Sequence, residues 1–492
     1  MIINIKKYTT VVLVALAALL VGSCSDDFTE VEPEATIDAE TFFNSPEDYN
    51  NALIAAYDLL QATYVSVWIG EIASDNTLAG GENATDVIGL QDIDDMRHGV
   101  ENNQLRDVWS WMYAGVSRTN YIFENKDNID FEGKQQILAE AAFLRAYYYF
   151  ELVKFFGDLP LVVGERATLD GVSSIQRSPV SAVYDQIEED LKFAAANLPV
   201  TPSQSGRVTK GAALALLGKA HLYQNEFADA ADALEQVIGL GQYELFADFS
   251  TLFLVSNENS VESVFEVQYT NVEGAGFGCL QCSEGNVAVG FNGIRGYNGP
   301  VYADGFSFNV PTQDLVDAFE AGDNRFEPTI LDIEAFAAAQ SEEVTYIKGY
   351  EHTGYYNHKY IPRSNDTGAG DPHLTSPVNY RAIRYADVLL MAAEALNRGG
   401  IDDSKAQDYL NMVRDRAGLA DVAVSGAALT DAILAERRVE LAGEGHRFFD
   451  LVRTGEAAAN IEGFVAGKHE LFPIPQVEID LAGAGWEQND NY

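Results

Sequence analysis

Apolar side chains recur at helical spacing along most of the chain. The clearest run spans residues 135–156, where one face carries Ile137, Phe143, Leu144, Tyr147, Tyr148 and Leu152. Gly157 follows at once, and glycine commonly ends a helix. A second run, 180–198, begins after Pro179 and ends before Pro199. Proline is tolerated at the start of a helix and just beyond its end, so these residues mark the two boundaries. The pattern therefore predicts two long helices with defined ends.

Two further segments have the pattern of paired helices. The first, Thr209–Leu240, matches the small and large positions of a tetratricopeptide repeat at Leu217, Gly218, His221, Ala230 and Leu234. A looser pair is predicted from Tyr380 to Gly418, and single helices at 105–125 and 429–444. The chain therefore predicts a mainly α fold built from helix hairpins, which are scattered along the sequence rather than in tandem.

The region from about Gly239 to Asn379 has a different character. It contains a short β-type run, Ser263–Tyr269, and a stretch dense in glycine, asparagine and aromatic residues, Asn271–Phe308. A second irregular, glycine-rich stretch runs from Ile72 to Asn103. Long loops in a compact protein are usually functional or disordered, and the aromatic content here argues against disorder. We expect a loop-rich region with short strands that binds a ligand.

The first 23 residues have the order of a bacterial lipoprotein leader. Lys6 and Lys7 come first, then an apolar stretch from Val11 to Val21, then two small residues and Cys24. The apolar stretch is too short to span a bilayer comfortably, so a cleaved signal peptide is favoured over a membrane helix. The sequence predicts lipidation at Cys24, a lipid anchor, and a polar tether at 24–37.

The charge of the chain is strongly acidic. The formal net charge is −44, and removal of the leader, which holds two lysines and no acid, makes it two units more negative. Such a surface repels nucleic acid and anionic lipid, so we expect no nucleic-acid partner. It also favours a neutral ligand over a polyanionic one.

Two cysteines remain in the mature chain beside Cys24. The spacing of Cys279 and Cys282 fits a redox motif, half of a zinc site or a local disulfide. No second cysteine pair accompanies them and no βαβ pattern precedes them. Outside the cytoplasm a disulfide that pins the glycine-rich loop is the favoured interpretation.

The chain contains no sequence motif for catalysis or for metal binding. The seven histidines are dispersed, and neither a zinc-protease helix, a nucleophile elbow nor a phosphate loop is present. The acidic run Asp92–Asp95 lacks the alternating ligands and turn glycine of a calcium loop, so a structural calcium is not indicated. We predict no metal, no cofactor and no enzymatic activity, although 75 acidic residues leave room for a glycosidase pair.

Aromatic residues in the irregular stretches are the best candidates for ligand contacts. Sugars present flat C–H faces on which aromatic rings stack, while acidic, amide and guanidinium groups bind the hydroxyls. Trp109 and Trp111 lie on a predicted helix and are assigned to the core. The predicted glycan-binding residues are Trp68, Asp75, Asn76, Phe277, Phe291, Asn292, Arg295, Tyr297 and Tyr302.

Several segments, taken in order, resemble the SusD/RagB family of Bacteroidetes outer-membrane lipoproteins. The resemblance covers essentially the whole mature chain. The matching segments are Cys24 with the acidic residues after it, 49–57, 73–76, 140–150, 156–162, 436–441, 444–453, 471–475 and 488–492.

This resemblance implies a single domain, 38–492, that binds and does not catalyse. The implied fold is a superhelix of tetratricopeptide-like hairpins, about 38–240 and 380–492, supporting a loop-rich insertion at about 240–379. The implied function is capture of oligosaccharide or polysaccharide at the outer face of the outer membrane. A SusC-like TonB-dependent transporter, which imports the glycan, is the implied partner.

The charged residues of the matching segments are predicted to be scaffold. Their helical setting indicates buried ion pairs between packed hairpins, since buried charges are tolerated only when paired. The family's ligand residues lie in variable loops, so none is transferred to this chain. The residues assigned to the scaffold are Arg145, Glu436, Arg437, Arg438, Glu440, His446, Arg447, Asp450 and Arg453.

Two alternative functions remain open on the sequence. RagB-like members of the family make a peptide ligand a realistic alternative to a glycan. A lipid-anchored glycoside hydrolase is the third possibility, and it requires a pair of catalytic carboxylates.

Overall fold

The computed structural model describes residues 42–492, apart from 165, 167–170, 172–173, 273–275 and 367. The leader, Cys24 and the tether lie outside the described residues, so the expectations for them stay predictions.

Helices dominate the structure, and the mainly α prediction is confirmed. In the first half these are α1 Pro46–Asp58, α2 Tyr64–Ile72, α3 Ile88–Asp94, α4 Asn103–Glu124, α5 Lys134–Phe156, α6 Val180–Asn197, α7 Lys210–Tyr223 and α8 Phe227–Gly239. Four short helices follow in the loop-rich region: α9 Val287–Asn292, α10 Gln313–Asp317, α11 Phe326–Thr329 and α12 Ile333–Ala339. The last group is α13 Tyr385–Arg398, α14 Asp403–Arg416, α15 Ala427–Glu440, α16 Arg447–Thr454, α17 Ala457–Asn460 and α18 Gln476–Ala482.

The long helices form one continuous stack. Each helix packs on the next in the order α4, α5, α6, α7, α8, α13 and α14, and α15 also packs on α13. A Cβ added at Gly218 of α7 would lie 2.5 Å from Leu234 Cγ of α8, which is why this position needs a small residue. The predicted hairpins are thus neighbours in space, and residues 240–384 are inserted between two adjacent helices.

The strands of the described residues are short and form two-stranded sheets. They are β1 Thr77–Gly80, β2 Leu159–Pro160, β3 Arg177–Ser178, β4 Ser263–Val267, β5 Ile294–Arg295, β6 Asp304–Gly305, β7 Phe308–Pro311, β8 Ile330–Asp332, β9 Tyr355–Asn357 and β10 Tyr380–Arg384. The antiparallel pairs are β1–β7, β2–β3, β4–β10 and β8–β9, and β5–β6 is parallel. The β1–β7 pair, with Thr77 opposite Pro311, joins the two irregular stretches of the sequence.

The hydrophobic core is divided between the helix stack and the loop-rich region. One large apolar cluster fills the helix stack, and a second, small cluster lies in the loop-rich region around Ile294, Tyr297, Tyr302 and Tyr356. The segment Pro46–Ile72 is long and apolar enough to cross a membrane, but most of it is buried inside the protein as α1 and α2.

The charged residues of the matching segments are paired inside the scaffold, as predicted. Arg145 contacts Asp190 at 2.6 Å, and Arg437 contacts Asp387 at 2.7 Å. Arg384, which the sequence did not single out, lies between Glu440 and Glu444, with a nitrogen 2.8 Å from an oxygen of each. The first two pairs join neighbouring helices, and Arg384 joins β10 to the end of α15 and the segment after it, so these groups are engaged inside the scaffold rather than free to bind a ligand.

Candidate functional site

Trp68 and Phe291, two of the predicted aromatic residues, are part of the core. Trp68 lies on α2 with 2% of its surface exposed, and its ring centre is 4.6 Å from that of Phe291 on α9. Tyr64 also packs edge-on against Trp68, with ring centres 5.1 Å apart. Neither Trp68 nor Phe291 presents a ring face to solvent, so the structure does not place them where a sugar would stack.

Tyr297 and Tyr302 are also buried, in the small core of the loop-rich region. Their ring centres lie 6.0 Å apart. The Tyr297 hydroxyl donates to the carbonyl of Pro300 at 2.6 Å, and the Tyr302 hydroxyl lies 2.9 Å from His358 Nε2. Burial raises the pKa of Tyr302 to about 12. Both phenols are therefore neutral groups engaged in internal contacts.

Three predicted polar residues hold the scaffold together. Arg447 donates to both carboxylate oxygens of Asp75 at 2.7 Å, and Arg438 donates to Asn76 Oδ1 at 2.9 Å. Asn292 donates to the carbonyl of Tyr360 at 3.1 Å. Asp75 and Asn76 belong to the family-like segment 73–76, and charged residues of the other family-like segments were already assigned to the scaffold. That membership was a sequence signal against a ligand role.

Phe277 is the predicted aromatic residue that reaches solvent. Its side chain is 59% exposed and lies just before a turn closed by a disulfide between Cys279 and Cys282. Gln61 anchors this turn by donating from Nε2 to the carbonyl of Gln281 at 2.7 Å. The exposed ring therefore lies directly beside a turn that is closed by a disulfide and anchored by Gln61.

Phe306 connects the exposed ring to the buried ones. Its ring centre lies 5.2 Å from Phe291, 5.9 Å from Phe277 and 4.7 Å from the His373 imidazole. Neighbouring rings are therefore in contact from the core to the surface, in the order Trp68, Phe291, Phe306 and Phe277. We call the outer three residues, Phe277, Phe306 and His373, the aromatic platform. The sequence reasoning missed Phe306 and His373, which come from two separate segments.

Polar groups surround the aromatic platform. His373 Nε2 lies 3.4 Å from an Asp304 carboxylate oxygen, and Nδ1 lies 3.2 Å from one of Asp371. Arg295 donates from Nη2 to the carbonyl of Phe306 at 2.7 Å and contacts Asp86 at 3.2 Å. Arg295, one of the predicted residues, thus links the platform to the turn 82–86.

Gly81, directly before the turn 82–86, holds this turn close to the platform. The backbone N–H of Gly81 donates to the carbonyl of Ser307 at 2.8 Å, and the carbonyl of Gly81 accepts from the N–H of Tyr350 at 2.8 Å. Gly81 has φ of +93°, and a Cβ there would lie 2.8 Å from the Phe308 ring. The glycine-rich stretch is therefore needed for this close approach.

Behind the turn, the carboxyl groups of Asp94 and Glu351 accept from adjacent backbone N–H groups of β1. Asp94 Oδ2 accepts from the N–H of Ala79 at 2.7 Å, and Glu351 Oε2 accepts from the N–H of Gly80 at 3.3 Å. Burial, together with the nearby charge of Glu351, raises the pKa of Asp94 to about 8. Asp94 is therefore largely protonated at neutral pH and fixes β1 behind the platform.

The arrangement is suited to binding a carbohydrate. Flat apolar rings at the surface stack on sugar faces, and the carboxylate and guanidinium groups beside them accept from and donate to hydroxyls. All of these polar groups are held by neighbours, so the surface is preorganised.

Two family models match the chain. One, described as the SusD family, matches residues 261–492, and the other, described as "Starch-binding associating with outer membrane", matches residues 27–222. Among curated proteins, SusD-like protein P2 of Formosa agariphila is 28% identical, over 96% of this chain and 97% of its own length.

Solved structures are similar over nearly the whole chain. A "Laminarin binding SusD-like protein" is 38% identical with a TM-score of 0.84, covering 91% of this chain and 99% of its own. Surface glycan-binding protein A from Bacteroides thetaiotaomicron, solved in complex with laminarihexaose, is 25% identical with a TM-score of 0.79, covering 90% of this chain and 99% of its own.

Proposed function

The chain belongs to the SusD family, and on this basis we propose that it captures oligosaccharide or polysaccharide at the cell surface and passes it to a SusC-like TonB-dependent transporter. It is a binding protein and not an enzyme. The observation that carries the proposal is the likeness to the laminarin-binding structure over nine tenths of the chain.

We propose that the aromatic platform is the glycan-binding surface. Phe277 supplies the exposed ring, and Arg295 and Asp304 supply groups that reach sugar hydroxyls. The buried predicted residues have an indirect role, because Trp68 and Phe291 support the platform from below. Asp75, Asn76 and Asn292 act in the scaffold.

We propose a neutral glycan as the ligand. A net charge of −44 disfavours polyuronates and sulfated polymers through long-range repulsion. Asp304 and Asp371 add negative charge beside the platform itself. Laminarin, the glycan named for the similar structure, is uncharged and fits this requirement.

Affinity electrophoresis of the chain from Ser25 onward tests the proposal. Gels containing laminarin or other neutral glycans should retard the protein, and gels containing alginate or a sulfated galactan should not. Phe277→Ala should weaken binding about fivefold, since stacking on one ring is worth roughly 1 kcal/mol. Leu481→Ala, which truncates another exposed apolar side chain on α18, is the matched control.

The outcomes separate the candidate ligands. Equal retardation of Phe277→Ala and wild type would remove the platform from the proposal. Retardation by anionic polymers alone would contradict the neutral-glycan assignment. Binding of peptides without any glycan binding would favour the RagB-like alternative.

Anchoring and delivery are tested in cells. Palmitate labelling should disappear in Cys24→Ala and persist in Cys279→Ser, because the second cysteine lies in the folded domain. A TonB-dependent transporter should copurify with the wild-type protein from solubilised outer membranes. Labelling that survives Cys24→Ala, or the absence of any transporter, would contradict the corresponding proposal.

A further inference from the structure

Three potential metal ligands meet on the helix stack, away from the aromatic platform. His221 lies in the last turn of α7, Glu226 directly precedes α8, and Glu188 lies on α6. The His221 Nδ1 atom is 2.6 Å from Glu226 Oε2 and 3.6 Å from Glu188 Oε1. All three donor atoms lie within 4.8 Å of one another. The proposed glycan-binding function uses none of these residues.

The fold fixes the positions of these side chains. The N–H of Glu226 donates to the carbonyl of His221 at 2.9 Å, across a turn that contains Asn225 at φ of +60°. His221 is only 4% exposed, so its imidazole cannot swing away from the cluster. Gln224 donates to Glu188 Oε1 at 3.0 Å, and Lys192 contacts Glu188 Oε2 at 2.8 Å. Neighbours that orient ligands in this way are typical of built metal sites.

The cluster is open to solvent on one side. It faces a surface groove that also carries Asp229 and Asp232, whose negative charge attracts cations. The groove also contains Lys192 and Lys210, and Lys192 contacts Glu188 Oε2, whereas His221 lies nearest to Glu188 Oε1. The Glu226 side chain is half exposed, so an ion has access to the site.

The donor set determines the class of ion. One imidazole nitrogen with two carboxylate oxygens suits zinc, whereas magnesium and calcium prefer oxygen ligands alone. Ligands about 2.1 Å from a tetrahedral ion lie roughly 3.3 Å apart. The separation between His221 Nδ1 and Glu188 Oε1 is already close to this value. The contact with Glu226 must lengthen by less than 1 Å, which rotation of its exposed side chain allows.

We propose that His221, Glu188 and Glu226 bind one zinc ion through Nδ1, Oε1 and Oε2, with water in the fourth position. Ion binding requires Nδ1 to be unprotonated, so a proton at Nδ1 moves to Nε2 or is released to solvent. No local spacing in the sequence indicates this site, because Glu188 lies 33 positions before His221, on another helix. The ion would join α6 to the α7–α8 turn and stabilise the hairpin stack.

Isothermal titration of zinc chloride into untagged, chelator-treated mature protein tests this site. We expect one saturable ion per chain. Glu226→Gln should weaken binding at least tenfold, and His221→Gln should weaken it further. Glu189→Gln, an exposed neighbour on α6, should bind like wild type. Circular dichroism without metal checks that Glu226→Gln retains the wild-type fold.

Each other outcome overturns the assignment. The absence of saturable zinc binding would leave the cluster as a structural contact between His221 and the two carboxyl groups. Equal affinities of Glu226→Gln and Glu189→Gln would place any bound zinc elsewhere. Calcium or magnesium binding as tight as zinc binding would contradict the assigned ion class.

Discussion

The helix stack and the loop-rich region satisfy their buried polar groups in different ways. Where β10 joins the stack at the start of α13, Arg384 is surrounded by three carboxylates, those of Glu262, Glu440 and Glu444. In the loop-rich region, segments meet through their backbones: the N–H of Gly81 donates to the carbonyl of Ser307, and the carbonyl of Gly81 accepts from the N–H of Tyr350, both at 2.8 Å. The stack is therefore held by specific side-chain pairs, whereas the loop-rich region depends on close backbone approaches.

This difference indicates which parts of the molecule can acquire a new binding specificity. Charge pairs between helices require several residues to be retained together, so the stack resists substitution. Loops joined by backbone contacts tolerate side-chain changes at their surface and are suited to carry a binding site. Four substitutions test this contrast.

Arg384→Ala is expected to have the largest effect. It leaves Glu262, Glu440 and Glu444 buried without their shared partner, which should lower the free energy of unfolding by about 3–5 kcal/mol. Arg97→Ala, which removes an exposed ion pair with Asp95, should lower it by less than about 1 kcal/mol. Urea unfolding measures both, and equal losses would remove the basis for the contrast.

Gly81→Ala should affect the loop-rich region. The new Cβ meets the Phe308 ring at 2.8 Å with φ of +93°, so stability should fall by about 1–3 kcal/mol. Glycan affinity should fall about tenfold as the turn 82–86 moves away from Arg295. Gly99→Ala, which meets nothing within 4 Å, is the control. Unchanged glycan affinity in Gly81→Ala, measured by titration, would exclude the turn from the site.

Asp94→Asn should change the pH dependence of stability. The folded-state pKa of about 8 lies above the unfolded value of roughly 4, so the folded protein holds one more proton between these pH values. As the pH rises from about 5 to 8, the free energy of unfolding of wild type should therefore fall. The fall should exceed that of Asp94→Asn by about 1 kcal/mol or more. The asparagine still accepts from Ala79.

Denaturant titrations at several pH values measure this difference. Glu132→Gln, at an exposed position on the stack, should follow the wild-type profile. Parallel profiles for Asp94→Asn and wild type would show that Asp94 is ionised in the folded protein.

The double substitution Cys279→Ser and Cys282→Ser should have the smallest effect. The disulfide closes a very short loop, so its loss should lower the free energy of unfolding by at most about 2 kcal/mol. Glycan affinity should fall a few-fold because Phe277 becomes less constrained. Thermal unfolding and titration measure the two effects, and a loss of stability without any loss of affinity would contradict the assigned role of this turn.

The sequence predicts the stack better than the site because regular periodicity is a local property. The predicted helix 135–156 is observed as α5, which starts one residue earlier. The close packing of Leu234 against Gly218 was also predictable, because both occupy characteristic positions of the helix-hairpin repeat. Helix α2 was missed because all nine of its residues are buried, so its sequence has no polar face. Trp68 was therefore placed in a loop.

The platform could not be found from local sequence. Whether an aromatic ring is exposed depends on what packs over it, which the loop sequence does not specify. Phe291 and Phe277 lie in the same stretch, yet one is buried against Trp68 and the other is open to solvent. His373 reaches Phe306 from a segment more than sixty residues later.

The insertion of residues 240–384 between two touching helices sets the order of assembly. Helices α4 to α8 are complete early in the chain and pack with one another. The partner of α8, helix α13, is made only after the whole loop-rich region, so one face of α8 stays uncovered until then. Closing that long loop costs roughly 4 kcal/mol of chain entropy. We expect the C-terminal helices to dock last, and an uncovered α8 face to be the point where chaperones hold the exported chain.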